Sequence, residues 1–240
     1  MQHNYLFALL YIQGFSILRN LTWIAPIRTK PQRIYERTII DFSPDGEHIP
    51  FILNQLSEIG DTGKKTLEQL GSFGKSSGLF SKLSVKRYGK ERNAPFEIQV
   101  EIGGATHKIT NVGYGVSQIL PLIVDILTRI GSDWFLIQQP EVHLHPKAQS
   151  TVGEFIYNQA SEYEKKFIIE THSDFLVDRF RLSMRKSKKK VETQVVYFQH
   201  TENGNTIHLL PIDDEGRYPE EQPDGFRDFF INEAITMMEI

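Results

Sequence analysis

The chain has 240 residues, which suits one large domain or two small ones. Its hydrophobic content of 40% and charged content of 24% are those of an ordinary globular protein, and a net charge of -3 gives no general attraction to nucleic acid. With no cysteine, disulfides, thiolate metal sites and thiol catalysis are excluded, and a reducing, cytoplasmic setting is the expectation.

The first predicted element is the apolar stretch from Tyr5 to Leu18. It is shorter than the ~20 residues that span a bilayer and lacks a basic lead and a cleavage site. It therefore reads as a core helix or strand, no membrane partner is expected, and its greasy start suggests that the chain begins inside a domain. Leu21 to Pro31 alternates and then meets prolines, so a short strand leaves into a loop. Phe51 to Leu70 has apolar residues at helical spacing, interrupted near Gly60. Gly71 to Gly78 is rich in Gly and Ser and reads as a loop or link.

Phe96 to Ile102 alternates strictly and predicts a strand with one buried face. Gly103-Gly104 is a hairpin turn, with Ala105 to Val112 as the returning strand. Ile119 to Ile130 is almost wholly apolar and predicts a buried helix. Trp134 to Ile137 and Phe167 to Ile169 predict central strands. Between them lies a helix over Lys147 to Tyr163, and another follows over Asp174 to Met184. Gln194 to Phe198 and Thr206 to Leu210 predict strands around a turn at Glu202 to Asn205, and Phe226 to Met238 predicts a last helix. Helix alternating with apolar strand from Ile119 onward is the pattern of an α/β domain with a largely parallel, covered sheet.

Three segments carry candidate chemistry. Val112-Gly-Tyr-Gly-Val-Ser-Gln118 leads into the apolar helix. Its glycines permit close backbone approach, and free N–H groups at a helix start favour phosphate. Ser117 is expected as an N-cap or phosphate donor, and Pro121 is expected near the first turn. The second segment, Phe135-Leu-Ile-Gln-Gln-Pro-Glu-Val-His-Leu-His-Pro146, takes an apolar strand into a polar loop. Ligands gather at such strand ends, so Gln138, Gln139 and Glu141 are candidates. The third, Phe167-Ile-Ile-Glu-Thr-His-Ser-Asp174, repeats that form and places His172 and Ser173 at a second strand end.

Taken together, and in this order, these segments resemble the ABC/SMC-type ATPases. The nearest branch is the bacterial AAA-type ATPases related to overcoming-lysogenization-defect proteins, several of which serve in phage defence. Pro26-Ile-Arg28, with Pro31 and Tyr35, also resembles that branch. The resemblance implies an ABC/SMC-type P-loop NTPase fold, here partial. Residues 1–95 would form the N-terminal, helical portion, and 96–240 the half with the signature, Walker B, D-loop and switch elements. Gly113, Gly115, Ser117 and Gln118 would form the signature loop, which contacts nucleotide held by an opposite subunit. Phe135 to Gln139 would be the Walker B strand, Glu141 to Pro146 the D-loop, and His172 the switch histidine at the γ-phosphate. The implied cofactors are ATP and Mg²⁺ in a completed site. The implied partners are a second copy or a complementary half supplying Walker A, with a nuclease or toxin and DNA as family-typical partners.

Two features depart from that family. A phosphate-cradling loop needs G-x-x-x-x-G-K-[ST], and neither candidate meets it. Gly71 to Ser76 has Gln69 where the first glycine belongs, and Gly60 to Lys65 has Lys65 in place of the hydroxyl residue; both read as loops. In addition, Gln138 holds the Mg²⁺ position where an acid is expected, and Gln139 follows where a Glu often acts as general base. Glutamine can neither balance the metal's charge nor take a proton. Glu141 is then the nearest carboxylate, and hydrolysis is in doubt. An ATPase relic acting as a scaffold is the alternative. A nucleic-acid-binding domain is a second alternative, using Arg179, Arg181, Arg185, Lys186, Lys188, Lys189 and Lys190, a run that otherwise reads as a solvated loop. His143 and His145 beside Glu141 fall short of the three protein ligands usual for catalytic zinc.

Overall fold

The computed structural model describes residues 21–36, 41–91, 93–129, 134–187, 189–202, 204–226 and 235–236. The apolar stretch 5–18 lies outside the described residues, as do Lys188 and most of the helix expected over 226–238. The chain divides into two compact units, Met1–Phe180 and Arg181–Ile240.

In the first unit, strands β1 (Leu21–Ile24), β5 (Trp134–Gln138) and β6 (Lys166–Glu170) form a parallel sheet in the order β1-β5-β6. Side chains alternate across a strand, so each strand offers one residue set to each face. Thr22, Ile24, Phe135 and Ile137 are buried, with Phe167 and Ile169 half-buried on the same face. The Phe135 and Phe167 rings stack at 5.6 Å. This face joins the main core with helices α3 (Tyr114–Thr128) and α4 (Pro146–Tyr163), through Ile119, Ile123, Val152 and Ile156. The α/β class with helices against a parallel sheet is therefore present. The strand at Phe167 to Ile169 is an edge strand among the described residues, whereas the sequence placed it centrally, because only β5 pairs with it.

A second sheet is antiparallel, in the order β2 (Lys82–Arg87), β3 (Phe96–Ile102) and β4 (Ala105–Lys108). β2 and β3, on either side of residue 95, pair along their whole length. Gly103 and Gly104 both have positive φ, 60° and 81°, as a two-residue hairpin turn requires. The returning strand is shorter than expected, since Ile109–Asn111 forms a 3-10 turn.

The helices correct two readings. α1 (Ile49–Glu58) and α2 (Gly60–Ser77) break at Ile59, near the expected place. However, α2 continues through Ser77, so both lysine-bearing glycine segments are helical and not loops. Glycine costs a helix about 1 kcal/mol against alanine, and tertiary packing overrides that cost here. Gly74 is buried, and a Cβ there would collide with the Phe80 ring and carbonyl. Gly78, in the left-handed region at φ 76°, ends the helix.

α3 begins at Tyr114, with Gly113 as N-cap, so Pro121 sits inside the helix and not in its first turn. Ser117 is likewise internal and buried, and its hydroxyl donates to the Tyr114 carbonyl at 2.8 Å. It does not serve as the expected N-cap. A buried polar pair fixes α1 on α3. His48 Nδ1 accepts from the Ser43 N–H, which leaves Nε2 to donate to Asp125 at 3.0 Å, and Arg129 Nε donates to the same carboxylate at 2.8 Å. The second unit holds most of the last turns of α5 (Asp174–Lys186) and the antiparallel hairpin β7 (Gln194–Thr201) and β8 (Gly204–Pro211).

Candidate functional site

The candidate residues meet where β5 and β6 end. Register places Gln138 directly beside Glu170. The Gln138 side chain is held from both sides: Trp23 Nε1 donates to its Oε1 at 3.1 Å, and its Nε2 donates to Glu170 Oε2 at 3.0 Å. The backbone then turns sharply. Gln139 has φ 45° and His143 φ 63°, both in the left-handed region that non-glycine residues rarely adopt. Short bonds brace this loop, from the Val142 N–H to the Gln139 carbonyl at 3.3 Å and from the Leu144 N–H to the Glu141 carbonyl at 3.0 Å.

Glu141 crosses to the other strand end. Its carboxylate accepts from the His172 N–H at 2.7 Å and from the Thr171 hydroxyl at 2.8 Å. Ser173 then caps α5: its hydroxyl accepts from the Leu176 N–H at 3.1 Å and donates to Gln149 at 2.6 Å. The result leaves the His172 side chain exposed on a backbone fixed from two directions. Each Glu141 oxygen accepts one of these bonds, so the side chain braces the two loops against each other.

Gly113 and Gly115 lie at the start of α3. A Cβ at Gly115 would come within 2.6 Å of the His143 carbonyl, so this glycine allows α3 to sit against the 139–145 loop. The Tyr114 and His143 rings meet edge-to-face at 4.7 Å. His145 caps α4, its Nδ1 accepting from the Ala148 N–H at 3.4 Å, so the two imidazoles have separate partners. Gln118 is buried and donates to the Arg28 carbonyl at 3.3 Å. The strand-end loops and the start of α3 are thus brought together, while Ser117 and Gln118 face inward.

Arg28 links these parts. It is 2% exposed, and its Nη2 donates to the Gln138 carbonyl at 3.3 Å, while Nε and Nη1 have no hydrogen-bond partner. Burial pulls its pKa down to about 10, with the negative charge of Glu141 acting in the opposite direction. The sequence offered Arg28 only as part of a resemblance. Glu170, Thr171 and Trp23 were missed as site residues, although the Glu-Thr-His run stood in the quoted motif. Nothing local marks a tryptophan 115 positions from Gln138 as its partner.

Several described members of the basic run have local partners. Arg179 pairs with Glu154 at 3.3 Å. Arg181 donates to the Gly216 carbonyl and lies 3.6 Å over the Tyr218 ring, and Lys190 meets the Asp214 carbonyl. Arg185 and Lys186 fall in the last turn of α5, where cations suit the helix dipole. Among the described residues no group of three or more His, Asp or Glu side chains could hold a metal ion.

A parallel sheet packed by helices, with polar loops converging at its C-terminal strand ends, defines an α/β domain. Residues 81–178 match the family described as "AAA domain, putative AbiEii toxin, Type IV TA system". Over that segment, which is less than half of the chain, the chain is similar to this AAA-domain family. No curated protein matches the chain significantly. Solved structures similar to it include SMC ATPase heads. One, from work on ATP-driven dimerization and DNA-stimulated activation of SMC ATPases, is 12% identical over 78% of this chain and 97% of its own, with TM-score 0.44. An Smc head with an extended coiled coil, bound to the C-terminal domain of ScpA and derived from Pyrococcus furiosus, is 14% identical over 82% and 43%, with TM-score 0.44. An SmcHead bound to the C-winged helix domain of ScpA is 14% identical over 72% and 58%, with TM-score 0.48. The chain spans about half the length of these last two.

Proposed function

We propose that the chain is a partial ATP-binding domain, contributing signature, D-loop and switch elements to a composite site completed by a second polypeptide or copy. The observation that carries this reading is the Glu141 brace, which ties the 139–145 loop to the backbone of His172 at adjacent ends of parallel strands. Such a brace presents the two loops as one surface, which suits binding across an interface. Gly113 and the first turn of α3 stand beside it with no side-chain cap on the helix start, the kind of position that favours an anion.

The residues present do not by themselves fit Mg²⁺. Gln138 is neutral, and Glu170 is the nearest acid. Binding without turnover is therefore the expected behaviour of a completed site, with a defence or DNA-maintenance role following from the family. The engagement of both Glu141 oxygens also favours the second reading, an ATPase-like scaffold without hydrolysis. The test is Mg-ATP binding and turnover by the chain beside Gln138→Glu. Turnover gained by Gln138→Glu supports a real but blocked site. No binding by either leaves the scaffold reading in place.

A further inference from the structure

The loop from Thr29 to Glu36, the start of α1 and the middle of α3 line a cavity of about 180 Å³ in the first unit. Leu53, Ile98, Ile109 and Leu120 form its apolar lining, and all four are buried. Tyr35 and Phe51 add an aromatic wall, with their rings edge-to-face at 6.2 Å. An apolar cavity of roughly 150 Å³ holds benzene, so this one has room for a single ring with a small substituent.

Two polar groups of this lining have hydrogen-bonding capacity left over. Pro121 lies inside α3 and carries no N–H, so the Ser117 carbonyl four residues before it loses its helical donor. Ser117 and Pro121 both line the cavity. Tyr35 is 5% exposed, and its hydroxyl accepts from the Gln32 N–H at 2.9 Å and donates to no group among the described residues. Burial raises its pKa, so the phenol keeps its proton at neutral pH. The lining therefore holds one open acceptor and one open donor. Its charged members, Lys30, Glu36 and Glu47, are all exposed.

We infer that this cavity is a binding site for a small, neutral aromatic amide. The ring fills the apolar part, the amide N–H donates to the Ser117 carbonyl, and the amide oxygen accepts from the Tyr35 hydroxyl. Buried polar groups without partners cost free energy, so a ligand that supplies both partners is selected over a hydrocarbon of the same shape. A charged ligand is disfavoured, because the buried part of the lining holds no ion to pair with it. The lining includes none of Gln138, Glu141 and His172, so the site does not rest on the nucleotide reading.

The probes are benzamide and isopropylbenzene, its hydrocarbon analogue, each titrated against the chain without nucleotide and followed by saturation-transfer NMR. Benzamide should bind about tenfold more tightly, as one or two added hydrogen bonds would give. Tyr35→Phe keeps the ring and removes the donor. Pro121→Ala returns an N–H to the Ser117 carbonyl, and alanine suits a helix interior better than proline. Each variant should lose most of the preference for benzamide while isopropylbenzene still binds, with circular dichroism showing both variants folded. Absence of benzamide binding to the native chain overturns the inference. So does equal or tighter binding of isopropylbenzene, which would make the cavity a plain apolar void. A preference for benzamide that survives in both variants also overturns it, because the amide would then sit elsewhere.

Discussion

At the scale of single residues, Glu141 makes the sharpest prediction. Glu141→Ala leaves the His172 N–H and the Thr171 hydroxyl without their acceptor, and an orphaned part-buried donor costs about 1–3 kcal/mol. Urea denaturation should show a loss in that range, and exchange at residues 171–173 should accelerate more than in α4. An unchanged loop would show that the brace carries nothing. A second residue prediction concerns Glu97, which is buried on β3 and accepts from Lys108, Tyr88 and Gln99, each at 2.6 Å. Burial raises its pKa, but these bonds and the Lys108 charge outweigh that and bring it from 4.5 down to about 2. A folded pKa below the unfolded value gives stability that is full above about pH 4.5 and is lost as pH falls toward 2. The difference in urea midpoint between the native chain and Glu97→Gln should therefore be present at pH 7 and shrink through that window.

At the scale of elements, close helix contact depends on particular glycines. A Cβ at Gly153 of α4 would collide with the Leu176 carbonyl of α5. Gly153→Ala should force these two helices apart, costing about 1–3 kcal/mol as overpacking does, despite alanine's better helix propensity. A rise in melting temperature instead would mean that the contact relaxes freely. The elements also mark where sequence reading stopped. The strands β1, β5 and β6, the break near Gly60 and the Gly103-Gly104 turn were legible, since period and turn chemistry are local. The extension of α2 through Gly71 and Gly74 was not. Both glycines read as loop by composition, and only tertiary packing shows otherwise: Gly74 lies against Phe80, and Gly71 faces the Ser81 carbonyl. Ser117 was misread for a related reason. Its hydroxyl suits a cap, yet the apolar pattern beginning at Ile119 hid a first turn that starts at Tyr114.

At the scale of the whole molecule, each unit presents apolar surface. In the first unit Trp23 and Ile168 are exposed on the face of the parallel sheet opposite the core. In the second, Val196 pairs with Leu209 and Phe198 with Ile207 across the hairpin, and all four side chains are exposed. Contiguous apolar patches larger than a few hundred Å² are rare on monomers, and clustered exposed apolar side chains bind hydrophobic probes. The native chain at neutral pH should therefore bind a hydrophobic dye while still melting cooperatively. Phe198→Asp with Leu209→Lys, and separately Ile168→Asp, should each lower the signal. If neither variant changes it, the dye reports partial unfolding and not these faces.

The sequence by itself determined the α/β class and the order of the strands along the chain. Each of these is written in short stretches, through alternation, apolar runs and motif spacing. Tertiary structure alone decided that β6 lies at an edge among the described residues, and that Glu141 accepts from the backbone of His172. It also decided that Gln138 is held by Trp23 and Glu170 and that Arg28 is buried among these parts. Those facts depend on pairing and burial between residues up to 115 positions apart, and no local pattern records such contacts.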